Sequence, residues 1–396
     1  YQPGSPTYGA SFWQTTATNA KSYVQKIDFS NDTATLSPRG NLQRKLYMTG
    51  STSSQSNANT TSVTLAGNEE KENVSPIGDH LGYFAGGKSP SPQVSTINRI
   101  NYVNDTATAL AKGPLTEQKY NNAATGNQDF GYLGGGNHYS GGSRSSIERI
   151  DYSSDTATAL VKGKLPNTRA FNAGTGNASF GYFGGGRGAP SNPSLLKSSV
   201  DRIDYSNDTA TASPKGPLNI IKMHLKATGN ASFGYFGGGQ TPSAVSTVDR
   251  VDYSNDTATA SPKGPLSSVL DQMGSVSSRE YDNPLKGPGF ITESSAFGVF
   301  SAPGPVPFGT NFGYFGGGWS SMSTVDRVDY SNDTATASSK GPLSDGRGTL
   351  GAAGNTSFGY FGGGFGPKST VDRVDYSSDN VTAPAKGPLS ESRRDV

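Results

Sequence analysis

The chain has 396 residues with 33 basic and 31 acidic side chains interspersed along it, a net charge of +2. That balance leaves no basic stripe for a nucleic-acid backbone, the lack of any cysteine excludes disulfides and thiolate metal sites, and no apolar run is long enough for a membrane-spanning helix. Glycine and proline together make up about a fifth of the residues, and 19 Tyr and 18 Phe recur at regular intervals. This is the composition of many short strands joined by tight turns.

The chain opens at Tyr1, which reads as a processed chain or a segment of a longer one. The first aromatic stretch, "ASFWQTTAT", is a worn form of a string that returns as "GYFAGG", "GYLGGG" and "GYFGGG" from Gly82, Gly131, Gly181, Gly234, Gly313 and Gly359. A second marker is the acid of "NDTAT" at Asp32, Asp105, Asp208, Asp256 and Asp333, written "SDTAT" at Asp155, with Asp379 in the variant "SSDNVT". Both markers keep phase, so the sequence holds seven units of about 50 residues.

Within a unit the predicted elements follow one order. "SFGYFGGG" is an apolar strand ended by glycines. "STVDRVDY" is a strand rich in β-branched residues. "SND" is a turn in which short polar side chains bond their own backbone. "TATASPKGPL" holds a third strand, and the variable "MHLKATGN" or "RGTLGAAGN" is a fourth. Four strands per unit predict an all-β fold, a seven-bladed β-propeller of four-stranded antiparallel blades forming one domain over 1–396. In a ring each sheet covers its faces against its neighbours and no uncovered end remains. The glycine-ended strand is predicted nearest the axis, where backbones converge.

Two insertions, about 51–80 and 279–311, interrupt the period between blades; the second carries Tyr281, Phe290, Phe297 and Phe300. So aromatic a segment is a candidate for contact with a partner. The loops after "GGG" vary from copy to copy and supply His138, Tyr139 and Trp319 as candidate binding residues. At the end of the chain "LSESRRDV" matches only the start of a fourth strand. The residues near Tyr1–Tyr8 are therefore expected beside Arg394–Val396.

A diglycine closing one strand, followed by "VDRVDYSNDT", resembles the kelch repeat, whose second strand reads Val-Glu-Arg-Tyr-Asp-Pro before a polar turn. The chain departs from that pattern in lacking the tryptophan of the third strand, where "TAT" stands instead. The fuller wording "GYFGGG…STVDRIDYSNDTATAS.KGPL" is similar to repeat-rich structural proteins of tailed phages, especially marine cyanophages. That resemblance implies a virion structural or tail-fibre protein, at the virion surface or otherwise extracellular. Its partners would be other virion proteins, identical subunits, or a host-surface glycan or protein.

A side chain present in every copy is most simply there to build the blade, whereas a unique site should break the pattern. By that rule the basic column Lys26, Arg99, Arg149, Arg202, Arg250, Arg327 and Arg373 reads as inter-blade pairing with carboxylates rather than a ring of anion sites. "DYSND" lacks the ligands of a calcium loop, "GGG" has no helix behind it to receive a phosphate, and the Asn-Asp-Thr sequons are accounted for as turns. His80, His138 and His224 fall at unrelated places in the repeat, and neither a Ser-nucleophile nor a zinc-protease motif occurs. The expected function is therefore non-enzymatic, structural or adhesive, without a cofactor. A microbial extracellular filament subunit and a carbohydrate-active enzyme are the alternatives.

Overall fold

The computed structural model describes residues 8–11, 21–28, 37–46, 51–53, 81–88, 94–138, 142–188, 195–277, 311–355, 357–366 and 368–396. The chain divides into two compact units, one of Tyr1–Val74 with Asn283–Pro303 and one of Ser75–Asp282 with Gly304–Val396. In the smaller unit, strands Tyr8–Ser11, Lys21–Asp28, Ser37–Leu46 and Ser51–Ser53 form a four-stranded antiparallel sheet. The larger unit is a β-propeller. Its described secondary structure consists of strands and single 3-10 turns, and no helix among the described residues is long and apolar enough to cross a membrane.

The propeller has six blades, not the seven expected from the seven copies. The third blade shows the plan: Ala173–Gly176, Phe180–Gly184, Val200–Asp204 and Ser213–Lys215 pair antiparallel in that order from the axis outward. The fourth and fifth blades run likewise from Lys226–Gly229 and Gly274–Ser277. The second begins at Ala123–Gly126 and carries longer outer strands, and the sixth begins at Gly351–Gly354. In the sixth, Asp372 bridges to Ala385 where the outer strand lies. In the first, Leu81–Ala85, Ile97–Asn101 and Leu110–Lys112 make up the described part of the blade.

The ring closes between the sixth blade and the first. Asp105 accepts from Tyr360 at 3.0 Å and Arg373 at 2.7 Å, Gly387 N–H donates to the Asp105 carbonyl at 2.7 Å, and Arg394 bridges to Lys88. The C-terminal residues thus pair with the first blade. Of the partners expected for them, Tyr1 to residue 7 lie outside the described residues, and Tyr8 pairs with Asp28 in the smaller sheet. The register of that sheet sets Ala10 opposite Lys26, where a ring blade sets Tyr360 opposite Arg373.

That grip is the same at every blade junction. Asp155, Asp208, Asp256, Asp333, Asp379 and Asp105 each accept from a tyrosine and an arginine of the preceding blade, as in Tyr182 at 2.9 Å and Arg202 at 2.7 Å on Asp256. A lysine of the outer strand completes the set, Lys215 standing 3.2 Å from Asp256. In five of the six blades the arginine lies over a phenylalanine of its own blade, Arg202 being 4.2 Å from the Phe180 ring, with Leu81 at that place in the first; the tyrosine stacks on the "DY" tyrosine of the next, Tyr182 on Tyr253 at 4.6 Å. Charge-assisted bonds in a partly buried site are strong and mutually supporting. The basic column therefore pairs between blades, but with the acid of "NDTAT". In five of the six blades the acid two residues after the arginine caps the 3-10 turn instead: Asp252 Oδ1 accepts from Ser254 N–H at 2.9 Å. The Ser254 hydroxyl, donating to the same oxygen at 2.7 Å, holds the Asp252 carboxyl below the usual carboxylate range.

The glycine-ended strand lies second from the axis, a correction to the expected innermost place. Its phenylalanine packs flat on a glycine of the preceding blade. A Cβ built on Gly184 would come within 2.6 Å of the Phe236 ring. Phe84, Phe183, Phe236, Phe315 and Phe361, all at most 2% exposed, fill the space between sheets in this way. The "KGPL" wording has a similar origin: a Cβ on Gly216 would lie 1.8 Å from the Ala258 carbonyl, and Leu218 is buried beneath it.

Candidate functional site

Antiparallel blades put the connections on two faces. The turns after the inner strands and the "SND" turns share one face. The loops after "GGG" and the crossings from each outer strand to the next inner strand share the other. The 279–311 insertion joins Gly274–Ser277 to Phe312–Gly318, two paired strands of the fifth blade. Tyr281, Phe290, Phe297 and Phe300 lie outside the described residues, as does Tyr139.

The crossing face is where the repeat wording gives out. Its inner belt holds Asn121, Phe171, His224, Gln272, Thr349 and Asp395, six different residues at equivalent places, each with φ between 54° and 59°. Each belt N–H donates to the carbonyl of the belt residue in the preceding blade, at distances from 2.5 to 3.1 Å, and Asn121 N–H closes the circle on the Asp395 carbonyl. Left-handed backbone costs a residue with a side chain about 1–2 kcal/mol, offset here by a hydrogen bond at each step. Because main-chain atoms alone make the belt, its side chains are free to differ.

A second circle surrounds it. Lys88, Asn137, Arg187, Gln240, Trp319 and Phe365 follow the glycines of the six blades. Backbone bonds tie them to the crossings, as in Trp319 N–H to the Asp271 carbonyl at 3.0 Å and Phe365 N–H to that of Gly348 at 2.8 Å. Trp319 and Phe365 are each 46% exposed and meet edge to face with ring centres 5.0 Å apart. Arg394 lies 5.1 Å from the Phe365 ring. A neighbouring pair is buried more deeply, Phe171 against His224 at 4.5 Å, with Arg187 over Phe171 at 5.0 Å. Burial lowers the His224 pKa to about 4, so this imidazole is neutral at neutral pH.

Of the residues predicted from sequence, Trp319 stands in this surface, joined by Phe365. His138 lies in the second blade, half-buried and 4.0 Å from Glu117, which Arg144 holds at 3.0 Å. The structure does not bring His138 and Trp319 together. Phe365 and the belt were missed, although their signal was visible: they are the positions where aligned copies disagree immediately beside fixed wording.

Inside the belt a neck of about 30 Å³ leads to an axial chamber of about 290 Å³. The described inner strands line the chamber, as do Leu81–Ala85 of the first blade. Asn122, Asn172 and Lys226 line both spaces and so mark their junction. No family model matches the chain, and no curated protein matches it.

Proposed function

We propose that the protein is a non-enzymatic structural and adhesive component of a virion, part of a tail or fibre, whose propeller presents a variable face to a host-surface glycan. The observation that carries the reading is the exposed Trp319–Phe365 pair on the face where the repeated wording stops. Aromatic faces with a polar edge are suited to stacking on sugar rings, and loops on a rigid ring are the usual place for recognition. The repeated charges, by contrast, are spent on the blade junctions. The virion setting rests on the resemblance of the repeat wording to phage structural proteins.

The test is binding of the full chain to purified host-envelope polysaccharide, with Trp319→Ala and Phe365→Ala beside it. Binding that drops tenfold or more in each variant, with the polymer chain length unchanged, supports the reading. Equal binding by all three proteins, or shortening of the polymer, overturns it. Immunogold labelling of the source particle decides between a virion and a cell-surface filament.

A further inference from the structure

At six equivalent places a residue that follows the glycines is bonded through its backbone to a residue of a crossing. In five of them the two residues include at most one cation, as in Arg187 with Ala170 or Gln240 with Met223. The sixth, at the closing seam, sets one cation opposite another. Lys88 N–H donates to the Arg394 carbonyl at 2.7 Å, and Arg394 N–H to that of Lys88 at 2.9 Å. Side chains directly opposite on such a pair share one side of the strands with Cβ atoms about 5 Å apart, and like charges so placed repel. Cations that serve the fold are treated otherwise: each of the six described arginines of the repeated column stands 2.7 or 2.8 Å from a carboxylate. Among the described residues Lys88 is in no ion pair, and its ammonium lies 3.9 Å from the Tyr120 ring. Arg394 has only Asp395, 3.9 Å from its Nε, and that Nε is buried without a hydrogen-bond partner. One carboxylate thus serves two cations. The fold does not ask for either: Ala170 and Gly348 stand at the place of Arg394 in two other crossings, and Asn137 and Gln240 at that of Lys88.

This pair is continuous with the exposed aromatics. Tyr120, Lys88, Arg394, Phe365 and Trp319 form an unbroken strip, each touching or backbone-paired with the next. We propose that the strip binds an anionic polysaccharide, with sugar rings on Trp319 and Phe365 and an acid group between the Arg394 guanidinium and the Lys88 ammonium. The proposal rests on the glycan reading above and adds the charge of the glycan. The guanidinium offers forked donors to a carboxylate or sulfate, and the ammonium adds a second point charge. An anion between them also removes the repulsion that the opposed pair builds in.

Biolayer interferometry of the full chain tests this with immobilised polygalacturonate, dextran sulfate, uncharged dextran and poly-glutamate. At least one of the two acidic polysaccharides should bind tenfold or more tightly than dextran and poly-glutamate, and the better of the two identifies the acid group as carboxylate or sulfate. Its affinity should fall several-fold from about 0.1 to about 1 M salt, as the screening length shrinks from about 10 to about 3 Å. Arg394→Ala and Lys88→Gln should each weaken it about fivefold, the upper end for a partly exposed charge pair. Both variants should fold, since alanine and glutamine already occupy equivalent places, and an unchanged or higher melting temperature verifies it. Absence of binding to both acidic polysaccharides, dextran or poly-glutamate bound as tightly as either, or Arg394→Ala and Lys88→Gln proteins that bind unchanged overturns the proposal. If Trp319→Ala still loses binding in those last two cases, the aromatic reading of the face stands without it. Trp319→Ala and Phe365→Ala proteins that bind unchanged overturn the glycan reading and this proposal with it.

Discussion

The seam between the first and second blades offers a sharp test of how the blades are packed. Everywhere else a phenylalanine of one blade lies on a glycine of the preceding one. Built Cβ atoms on Gly134, Gly184, Gly237, Gly316 and Gly362 would sit 2.6 to 2.9 Å from the facing ring. At the first blade Ala85 takes the glycine's place and Leu133 the phenylalanine's, and both are buried in one cluster. The added methyl is thus compensated by a smaller partner. Leu133→Phe should drive a ring into the Ala85 methyl and cost about 1–3 kcal/mol, the usual range for overpacking. Ala85→Gly alone should cost about 1 kcal/mol through lost packing and backbone entropy. The double variant recreates the pairing of the other five seams, so it should be more stable than the sum of the single losses requires. A coupling of about 1–2 kcal/mol is expected, within the range for residues in contact. Melting followed by near-ultraviolet circular dichroism reads it, at about 2 °C per kcal/mol for a unit of this size. A Leu133→Phe protein as stable as the parent, or losses that simply add, would refute the packing account.

Three further outcomes follow from the charges. Asp326 is fully buried and accepts from Ser267 N–H and Oγ–H at 2.9 and 2.6 Å, but its blade has Leu270 where others have Lys222 or Arg347. Burial raises its pKa, so the fold favours the protonated acid and loses stability as pH rises from the unfolded carboxyl range through the folded pKa. Asp326→Asn should therefore stabilise the protein at pH 7, with the gain vanishing below about pH 4; Asn98 already makes both serine bonds in the first blade, at 2.8 and 2.6 Å. Asp372→Asn should act in the opposite direction, because Arg347, 2.9 Å away, loses its counter-charge; a urea midpoint that moves up for both variants would refute the distinction. Asp105→Ala and Asp256→Ala, at the closing junction and an internal one, should each cost about 3–5 kcal/mol and shift the midpoint alike, since both sites make the same contacts.

How much of this was legible in the sequence depended on whether a feature belonged to one unit or to a relation among units. The strands, the polar turn and the blade period could be read because each is written inside a single copy. The role of the arginine column was readable in kind, but its partner was not. Asp155, held by Arg99, and Asp151, two residues beyond Arg149, look equally suitable until the fold carries one across a junction and turns the other back on Ser153. The strand order was misjudged for a similar reason. Glycines at 184 to 186 suit a crowded axis, but here the first sits under the Phe236 ring of the next sheet and the other two have φ of 65° and 95° at a strand end. Blade number was beyond reach of counting. It depends on the angle between neighbours and on whether the last unit's Tyr360 and Arg373 find an acceptor, which Asp105 supplies to them.

The belt of six main-chain hydrogen bonds has an evolutionary consequence. It ties the mouth of the propeller together with atoms that every amino acid except proline possesses, so a codon change there alters the chemistry of the surface and leaves those bonds standing. The blades, by contrast, hold one another to a common wording, because a change in one acid or glycine disturbs its neighbour as well. A molecule built this way can follow a changing target by drift at the rim while its frame stays fixed.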